Sequence, residues 1–288
     1  MPLPLFEALC VVVVLLTLAL HWRAEPTPAS RARFLSDYAL LALAGFVGEQ
    51  TSITMYRSYG YATDWHARML DVPLLVPLIW PLVILSARGV RKALFPAARP
   101  WQRPLLLFVL VTADASLMEV LATRAELWTW SEPGHLDVPV QGILAWGYFA
   151  AAADVLLDRL EGIGRLLVVP ASVLAAHALI CATWWYGLRW ILRGDLGTAG
   201  VIGVAVLGAL ASGYAWHLRS KGRALPPAVL VPRLAATALF AALFFSTAAT
   251  EWPYWVHLVS VGVPYAIVTR MPKREAPTAS PRGAIPAQ

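Results

Sequence analysis

We interpret three acidic residues as interior to the long apolar runs of the sequence, where acids are rare. They are Glu49, Asp114 and Glu119. An ionised acid at the centre of a membrane costs about 2.5–3.5 kcal/mol on insertion scales, so such a residue is by default a candidate for function. Because burial penalises the charged form of a carboxyl group, we expect Glu119 or Asp114 to be a neutral acid that donates a proton near neutral pH.

A structural role is the alternative for these acids. Arg124 follows Glu119 by little more than one helical turn, which would allow an ion pair between the two side chains. Asp114 would instead form a buried hydrogen bond with a neighbouring helix.

Two similar stretches of sequence each follow one of these acids. The stretches run from Asp71-Val72-Pro73 to Trp80 and from Asp137-Val138-Pro139 to Trp146, with the same spacing between proline and tryptophan. An aromatic loop precedes each stretch. The loops contain Tyr56, Tyr59, Tyr61 and Trp65 after Glu49, and Trp128 and Trp130 after Glu119. A duplicated helix-loop-helix unit predicts one site shared by both acids.

Each feature of these units also has a general explanation when taken alone. Proline is tolerated in the first turn of a helix, aspartate is a good N-cap, and Trp and Tyr are enriched at membrane surfaces. The matched pair of units favours the shared site over these explanations.

The elements that position these residues must be membrane helices. Of the 288 residues, 59% are hydrophobic and 14% are charged, whereas a soluble domain has about 25% charged residues. This composition excludes a disordered chain, a disulfide-stapled secreted domain and a soluble α/β enzyme. Nine apolar runs predict an all-α, polytopic membrane bundle of about nine transmembrane helices. The runs are 3–21, 35–55, 70–87, 104–122, 138–157, 166–187, 197–217, 230–249 and 252–268.

The distribution of Lys and Arg predicts the orientation of the bundle. With nine spans, 18 of the 23 basic residues fall on one side of the membrane and five on the other. Because cytoplasmic loops hold the excess of basic residues, we expect the N-terminus outside and the C-terminus in the cytoplasm. Residues 1–270 are then a single transmembrane domain, and residues 271–288, rich in Pro, Ala, Ser and Arg, a disordered cytoplasmic tail.

Several kinds of site have no support in the sequence. His66 and His135 have no metal-ligand companions at useful spacing, so no metal site is expected, and His177 is as compatible with packing as with proton transfer. There is no glycine-rich phosphate loop and no nucleophile elbow. The net charge of +6 comes from arginines between apolar runs, so no nucleic-acid partner is expected.

The aromatic units carry a family resemblance. The segments 59–64 (YGYATD) and 72–80 (VPLLVPLIW), and then Glu119, Trp128-Thr129-Trp130, Val138-Pro139 and Ala145-Trp146, resemble the membrane carotenoid-biosynthesis family. That family contains the carotenoid 1',2'-hydratases, including bisanhydrobacterioruberin hydratase. The resemblance covers about residues 45–150. The chain departs from the family pattern at Val120 and in residues 141–145, so the resemblance implies the fold and the general chemistry rather than one substrate.

The resemblance implies addition of water to the terminal double bond of an acyclic carotenoid, without redox change and without a cofactor. A carboxylic acid, Glu119 or Asp114, would protonate the alkene, and Glu49 would orient or deprotonate the water, with the two glutamates able to exchange roles. Electron-rich rings would stabilise the carbocation. The expected cavity wall is Tyr59, Tyr61, Trp80, Trp128, Trp130 and Trp146, with Asp71 and Asp137 as outer-rim alternatives to Glu49.

The expected partners are a hydrophobic polyene from the bilayer, membrane lipid and other enzymes of the carotenoid pathway, in a bacterial inner membrane. Two further functions stay open from the sequence. A carotenoid or isoprenoid end-group cyclase or isomerase would use the same acid and the same cation but exclude water. A membrane transporter or assembly factor would use an outward acidic cavity without chemistry.

Overall fold

The computed structural model describes residues 1–269, and these are predominantly helical, which confirms the all-α class. The predicted tail at 271–288 lies outside the described residues. The helices are α1 (Leu3–Ala24), α2 (Pro28–Tyr56), α3 (Leu75–Leu94), α4 (Gln102–Arg124), α5 (Val140–Arg159), α6 (Val168–Ile180), α7 (Arg189–Leu192), α8 (Gly197–Ser220), α9 (Pro227–Thr247) and α10 (Trp252–Thr269). The strands are β1 (Tyr59–Tyr61), β2 (Arg68–Met69), β3 (Val72–Pro73) and β4 (Trp128–Trp130).

Six helical segments of residues 1–269 are long and apolar enough to cross a membrane. They are α1, α4, α5, the run Gly162–Leu192, α8 and Val229–Thr247. The chain is therefore a membrane protein. Nine crossings and the orientation remain predictions, which a reporter fused to the C-terminus tests.

Three helices differ from the apolar runs in ways that the local sequence explains. Helix α2 begins before its run because Thr27 and Ser30 form a reciprocal capping box around Pro28. Helix α3 begins after the start of its run because Val72–Pro73 pairs with Arg68–Met69 as a strand. The sixth run is a 3-10 turn followed by α6, a π-helical segment from Cys181 to Leu188, and α7.

The duplication seen in the sequence extends to the backbone. Arg57 after α2 and Glu126 after α4 have left-handed φ angles of 50° and 58°, and each precedes the first residue of an aromatic strand by two positions. Leu70 and Leu136, which precede the two Asp-Val-Pro tripeptides, have φ angles of 55° and 52°. Four matched residues in a left-handed conformation, which is uncommon for residues other than glycine, show that the two units follow similar backbone paths. The paths differ at Asp137, which has a φ of 63° whereas its counterpart Asp71 is not left-handed.

Helices α2, α3, α4 and α5 form the centre of the molecule. Helix α6 packs against α2 and α5 and covers the gap between the two units on that side. On the other side α9 packs against α3 and α4, and α1 packs against α3 and α9, so a different set of helices covers that gap. Helices α8 and α10 pack closely on one another, and α10 also contacts α4. At the ends of α3 and α5 farthest from the aromatic strands, Arg88 Nε lies 2.6 Å from the Asp154 carboxylate, which ties the two units together.

Candidate active site

Glu49 lies on α2 and accepts hydrogen bonds from three aromatic side chains. The Tyr59 and Tyr61 hydroxyls donate to Oε2, the latter at 2.8 Å, and the Trp80 indole donates to Oε1 at 2.8 Å. Two of the donors come from β1 and the third from the second turn of α3. The residue is 9% exposed, so its carboxyl group is held by the protein rather than by bulk water.

Glu119 has a matching arrangement on α4. The indoles of Trp128 and Trp130 donate to its Oε2 at 2.9 and 3.2 Å, and the indole of Trp146 donates to Oε1 at 2.6 Å. Two donors again come from a strand, here β4, and one from the following helix. Glu119 is 3% exposed. Each carboxyl group therefore has one oxygen bound twice and one bound once, by the same kinds of element.

The two sets of donors are in contact with one another. Strands β1 and β4 pair antiparallel with Gly60 opposite Thr129, so an approximate twofold axis passes between these two residues. The rings meet in three pairs across this axis. Their centroids are separated by 4.8 Å for Tyr59 and Trp130, 5.8 Å for Tyr61 and Trp128, and 4.3 Å for Trp80 and Trp146. These six rings are called the aromatic cage below.

Within residues 1–269 no basic side chain forms an ion pair with the acids of the cage, Glu49 and Glu119. Burial, followed by the charge of Glu49, raises the pKa of the Tyr59 and Tyr61 hydroxyls well above the ordinary value for tyrosine. Both phenols therefore stay protonated and serve as hydrogen-bond donors.

The cage and both acids line one cavity. Its volume is about 1300 Å³ when the space that is open to the surroundings is included. On one side it reaches α6, where Val173 and His177 line it, and on the other it reaches α1 and α9, where Phe6 and Phe240 line it. These are the two gaps between the duplicated units, so the cavity passes through the centre of the molecule.

Residues 6–212 match the protein family described as carotenoid biosynthesis protein. The chain belongs to this family. The match includes both acids, the whole cage, most of α1 and all of α2 to α7, and it extends well beyond residues 45–150, where the sequence alone shows the resemblance. No curated protein and no solved structure is significantly similar to the chain.

Asp114, the third acid considered from the sequence, lies elsewhere. It binds Arg233 of α9 through both oxygens, at 2.8 and 2.7 Å, and accepts a hydrogen bond of 2.9 Å from the Tyr265 hydroxyl. It does not line the cavity. Arg233 belongs to α9 rather than to a loop, so it is not among the loop residues that report orientation.

Three further residues considered from the sequence, Asp71, Asp137 and Arg124, lie at the surface. Asp71 and Asp137 are exposed and do not line the cavity, and neither caps the helix that follows it. Asp71 instead accepts a hydrogen bond of 2.8 Å from the Gln50 amide. Arg124 pairs with Glu251 at 2.7 Å, so the ion pair considered between Arg124 and Glu119 does not form.

The cavity also contains polar side chains that the sequence did not single out as a group. Gln141, Ser52 and Ser58 line it, and Tyr56 and His177 meet beside it. No sequence signal predicts that Tyr56 contacts His177, since the two are 121 positions apart. Among the described residues no group of three or more His, Cys, Asp or Glu could hold a metal ion.

Proposed function

We propose that the protein is a carotenoid hydratase, which adds water to the terminal double bond of an acyclic carotenoid. The observation that carries this proposal is the pair of buried carboxyl groups, Glu49 and Glu119, that face one cavity through a shared wall of aromatic rings. Hydration of an alkene needs one group to give a proton and another to take one. The cavity supplies both from the same kind of residue.

The first step is proton transfer from a neutral carboxyl group to the alkene. The π electron pair forms the new C–H bond, and the more substituted carbon becomes a tertiary carbocation. When two carboxyl groups share one cavity without a cation, the state with one neutral acid and one carboxylate has a lower free energy than the state with two carboxylates. One proton shared by Glu49 and Glu119 therefore leaves the site with a donor and an acceptor.

The second step is capture of the cation by water. The water oxygen forms the C–O bond, and the resulting oxonium gives its proton to the ionised carboxylate, which yields a tertiary alcohol. The protein ends this turnover with its proton on the other glutamate. Exchange with water in the cavity returns the proton to the first one, so the net reaction consumes only the alkene and one water.

The cage stabilises the carbocation between these steps. Each phenol O–H or indole N–H bonds to a carboxyl oxygen at the ring edge, so the ring surfaces that line the cavity stay open to the substrate even though the rings also pack on one another in pairs. A cation over such a face gains about 2 kcal/mol or more when the site is dry. Trp80 and Trp146 are the preferred pair: they contact one another, with centroids 4.3 Å apart, and each donates to a different one of the two glutamates.

The substrate proposed here is a linear polyene taken from the bilayer. Such a molecule is about as long as the hydrocarbon layer, roughly 30 Å, is thick. Its reacting end would occupy the cage while the rest of the chain lies among the apolar helices, and water would arrive from the outer face. The location that we propose is a bacterial inner membrane, where lipid and the other enzymes of the pathway are available.

Expression in a host that makes lycopene tests the proposal. Mass spectrometry of the extracted pigments is expected to show the gain of one or two waters, and the Glu49→Gln/Glu119→Gln variant, expressed at the same level, is expected to show none. Unchanged pigment from correctly inserted protein, over several acyclic carotenoids, overturns the hydratase proposal. New pigments of unchanged mass identify a cyclase or isomerase instead.

A further inference from the structure

The two ends of the cavity differ in polarity although the cage between them is nearly symmetric. The polar end, between α2, α5 and α6, carries polar side chains beside the apolar Val173, Ala176 and Ile180 of α6; the polar ones are Ser52, Tyr56, Ser58, Gln141 and His177. The apolar end, next to α1 and α9, is lined by Phe6, Cys10, Ala122, Leu127, Leu239 and Phe240. The twofold arrangement of the units exchanges these ends, so their difference comes from the side chains of the units and from the different helices that cover each end.

Matched positions of the two units show the same difference. Three residues after the glutamate, the first unit has Ser52 and the second has Ala122. The residue before the aromatic strand is Ser58 in the first unit and Leu127 in the second. The face of α2 that bears Glu49 therefore continues into polar side chains, whereas the face of α4 that bears Glu119 continues into apolar ones.

Gln141 has a buried amide without a partner. It lies in the first turn of α5, is 6% exposed and lines the cavity. Its Nε2 has no hydrogen-bond partner within residues 1–269. A buried donor left unsatisfied costs about 1–3 kcal/mol, so this amide favours a cavity molecule that offers an oxygen. Leu75 holds the corresponding position in the other unit, five residues before the tryptophan.

The hydrogen bonds of His177, at the polar end of the cavity, select one tautomer of its ring. Its Nε2 lies 2.9 Å from the Thr51 hydroxyl, which donates its own hydrogen to the Val47 carbonyl at 2.6 Å. Thr51 therefore accepts from Nε2–H, and the Nδ1 lone pair accepts from the Tyr56 hydroxyl at 2.9 Å. With its hydrogen committed to His177, the Tyr56 oxygen remains available as an acceptor for a water in the cavity.

We propose that the polar end holds the attacking water, through Gln141 and the Tyr56–His177 pair, and that the apolar end holds the polyene. This inference rests on the proposed hydration. It decides which glutamate is the proton donor and which is the proton acceptor, a choice that the nearly symmetric cage alone leaves open. Glu119 is the acid that protonates the alkene, because its side of the cavity is apolar. Glu49 is the carboxylate that takes the proton from the captured water, because its helix leads to the polar end.

The assignment gives protonation of the alkene and capture of water to different residues, so the two steps can be measured separately. Deuterium in recovered lycopene reports protonation, and the alcohol reports water capture. In D2O the exchangeable proton of Glu119 becomes deuterium, which is transferred to the alkene. A cation that no water captures returns a proton or a deuteron to Glu119, so part of the recovered polyene carries deuterium. Membranes containing the protein are incubated with lycopene in D2O, and mass spectrometry follows both deuterium in recovered lycopene and formation of the alcohol.

Gln141→Leu, which copies the residue of the other unit, is expected to lower alcohol formation about tenfold, the effect of losing roughly 1.4 kcal/mol of stabilisation. Deuterium exchange into lycopene should persist, and the KM for lycopene should stay within twofold. His177→Phe should act in the same direction, and Gln141→Asn should restore part of the alcohol. Phe240→Ala, at the apolar end, is the matched control: it should raise the KM without changing the ratio of exchange to alcohol.

The two glutamates give the sharpest contrast. Glu49→Gln should lose alcohol by about 100-fold or more while exchange persists, whereas Glu119→Gln should lose both, as expected for a base and an acid respectively. The reverse pattern in the two glutamate variants overturns the assignment. So does a Gln141→Leu variant in which the ratio of deuterium exchange to alcohol formation equals that of the wild type. Wild-type protein that produces neither alcohol nor exchange overturns the proposed function itself, which distinguishes the two failures.

Discussion

Glu119 and Asp114 lie on the same helix, five residues apart, and have opposite surroundings. Glu119 is bound by three indoles and lines the cavity, whereas Asp114 is bound by Arg233 and Tyr265 and does not line it. Both look alike in the sequence, as single acids within one apolar run. The comparison teaches that the partner of a membrane acid, rather than its depth, separates a group available for proton transfer from one that joins helices.

Glu119→Gln should have the largest effect on activity. Glutamine keeps the size of the side chain and still accepts indole hydrogen bonds at its oxygen, but it cannot act as the acid. Loss of a general acid typically lowers a rate by about 10²–10⁴-fold, so alcohol formation should fall by that amount at unchanged protein level. Near-normal turnover, measured on lycopene by liquid chromatography, would show that the acid lies elsewhere.

Asp114→Asn should affect stability rather than chemistry. It leaves the Arg233 guanidinium buried without its counter-ion, a change that costs about 3–5 kcal/mol in comparable pairs. Thermal unfolding in detergent should shift to lower temperature, while turnover per folded molecule stays close to that of the wild type.

The double variant Asp114→Leu/Arg233→Met is the control for this pair. Replacing a buried ion pair by apolar residues of similar volume is often neutral or stabilising, so most of the lost stability should return. If Asp114→Asn abolished turnover in protein that remained folded, the separation of the two acids by their partners would be wrong.

Trp80→Phe and Trp146→Phe should have intermediate effects and would test the two halves of the cage. Each keeps an aromatic face and removes one indole donor, to Glu49 and to Glu119 respectively. A hydrogen bond to a charged group is worth about 1.5–3 kcal/mol, so Trp80→Phe, whose partner Glu49 is the carboxylate, should lower turnover roughly tenfold to 100-fold. A neutral hydrogen bond is worth about 0.5–1.5 kcal/mol, so Trp146→Phe, whose partner Glu119 is the neutral acid, should lower it about twofold to tenfold. Trp190→Phe, at a side chain that is 73% exposed, is the matched control and should leave turnover unchanged.

Much of the fold and part of the site follow from local sequence. Apolar runs predict the helices, and the repeated Asp-Val-Pro and tryptophan spacing predicts two units around one site. Contacts between distant residues do not follow, because nothing local to Asp114 indicates an arginine 119 positions later. The polar end of the cavity escapes prediction for the same reason, since Gln141, Tyr56 and His177 come from three different helices.

Gly45→Ala should have the smallest effect, and it tests how the backbone places one tryptophan of the cage. A Cβ atom at Gly45 would lie 2.7 Å from the Trp80 ring, which packs directly on the α2 backbone and from there reaches Glu49. Overpacking of this kind costs about 1–3 kcal/mol, so Trp80 should shift and turnover should fall several-fold.

Gly213→Ala is the control for helix propensity, since a Cβ there meets no atom within 4 Å. Alanine stabilises a helix relative to glycine by about 1 kcal/mol, so this variant should be at least as stable as the wild type and equally active. Gly45→Ala combined with Trp80→Phe should lower turnover by less than the product of the single effects, because both changes act on the one hydrogen bond to Glu49. Full additivity would instead mean that Gly45 affects turnover by a route other than Trp80.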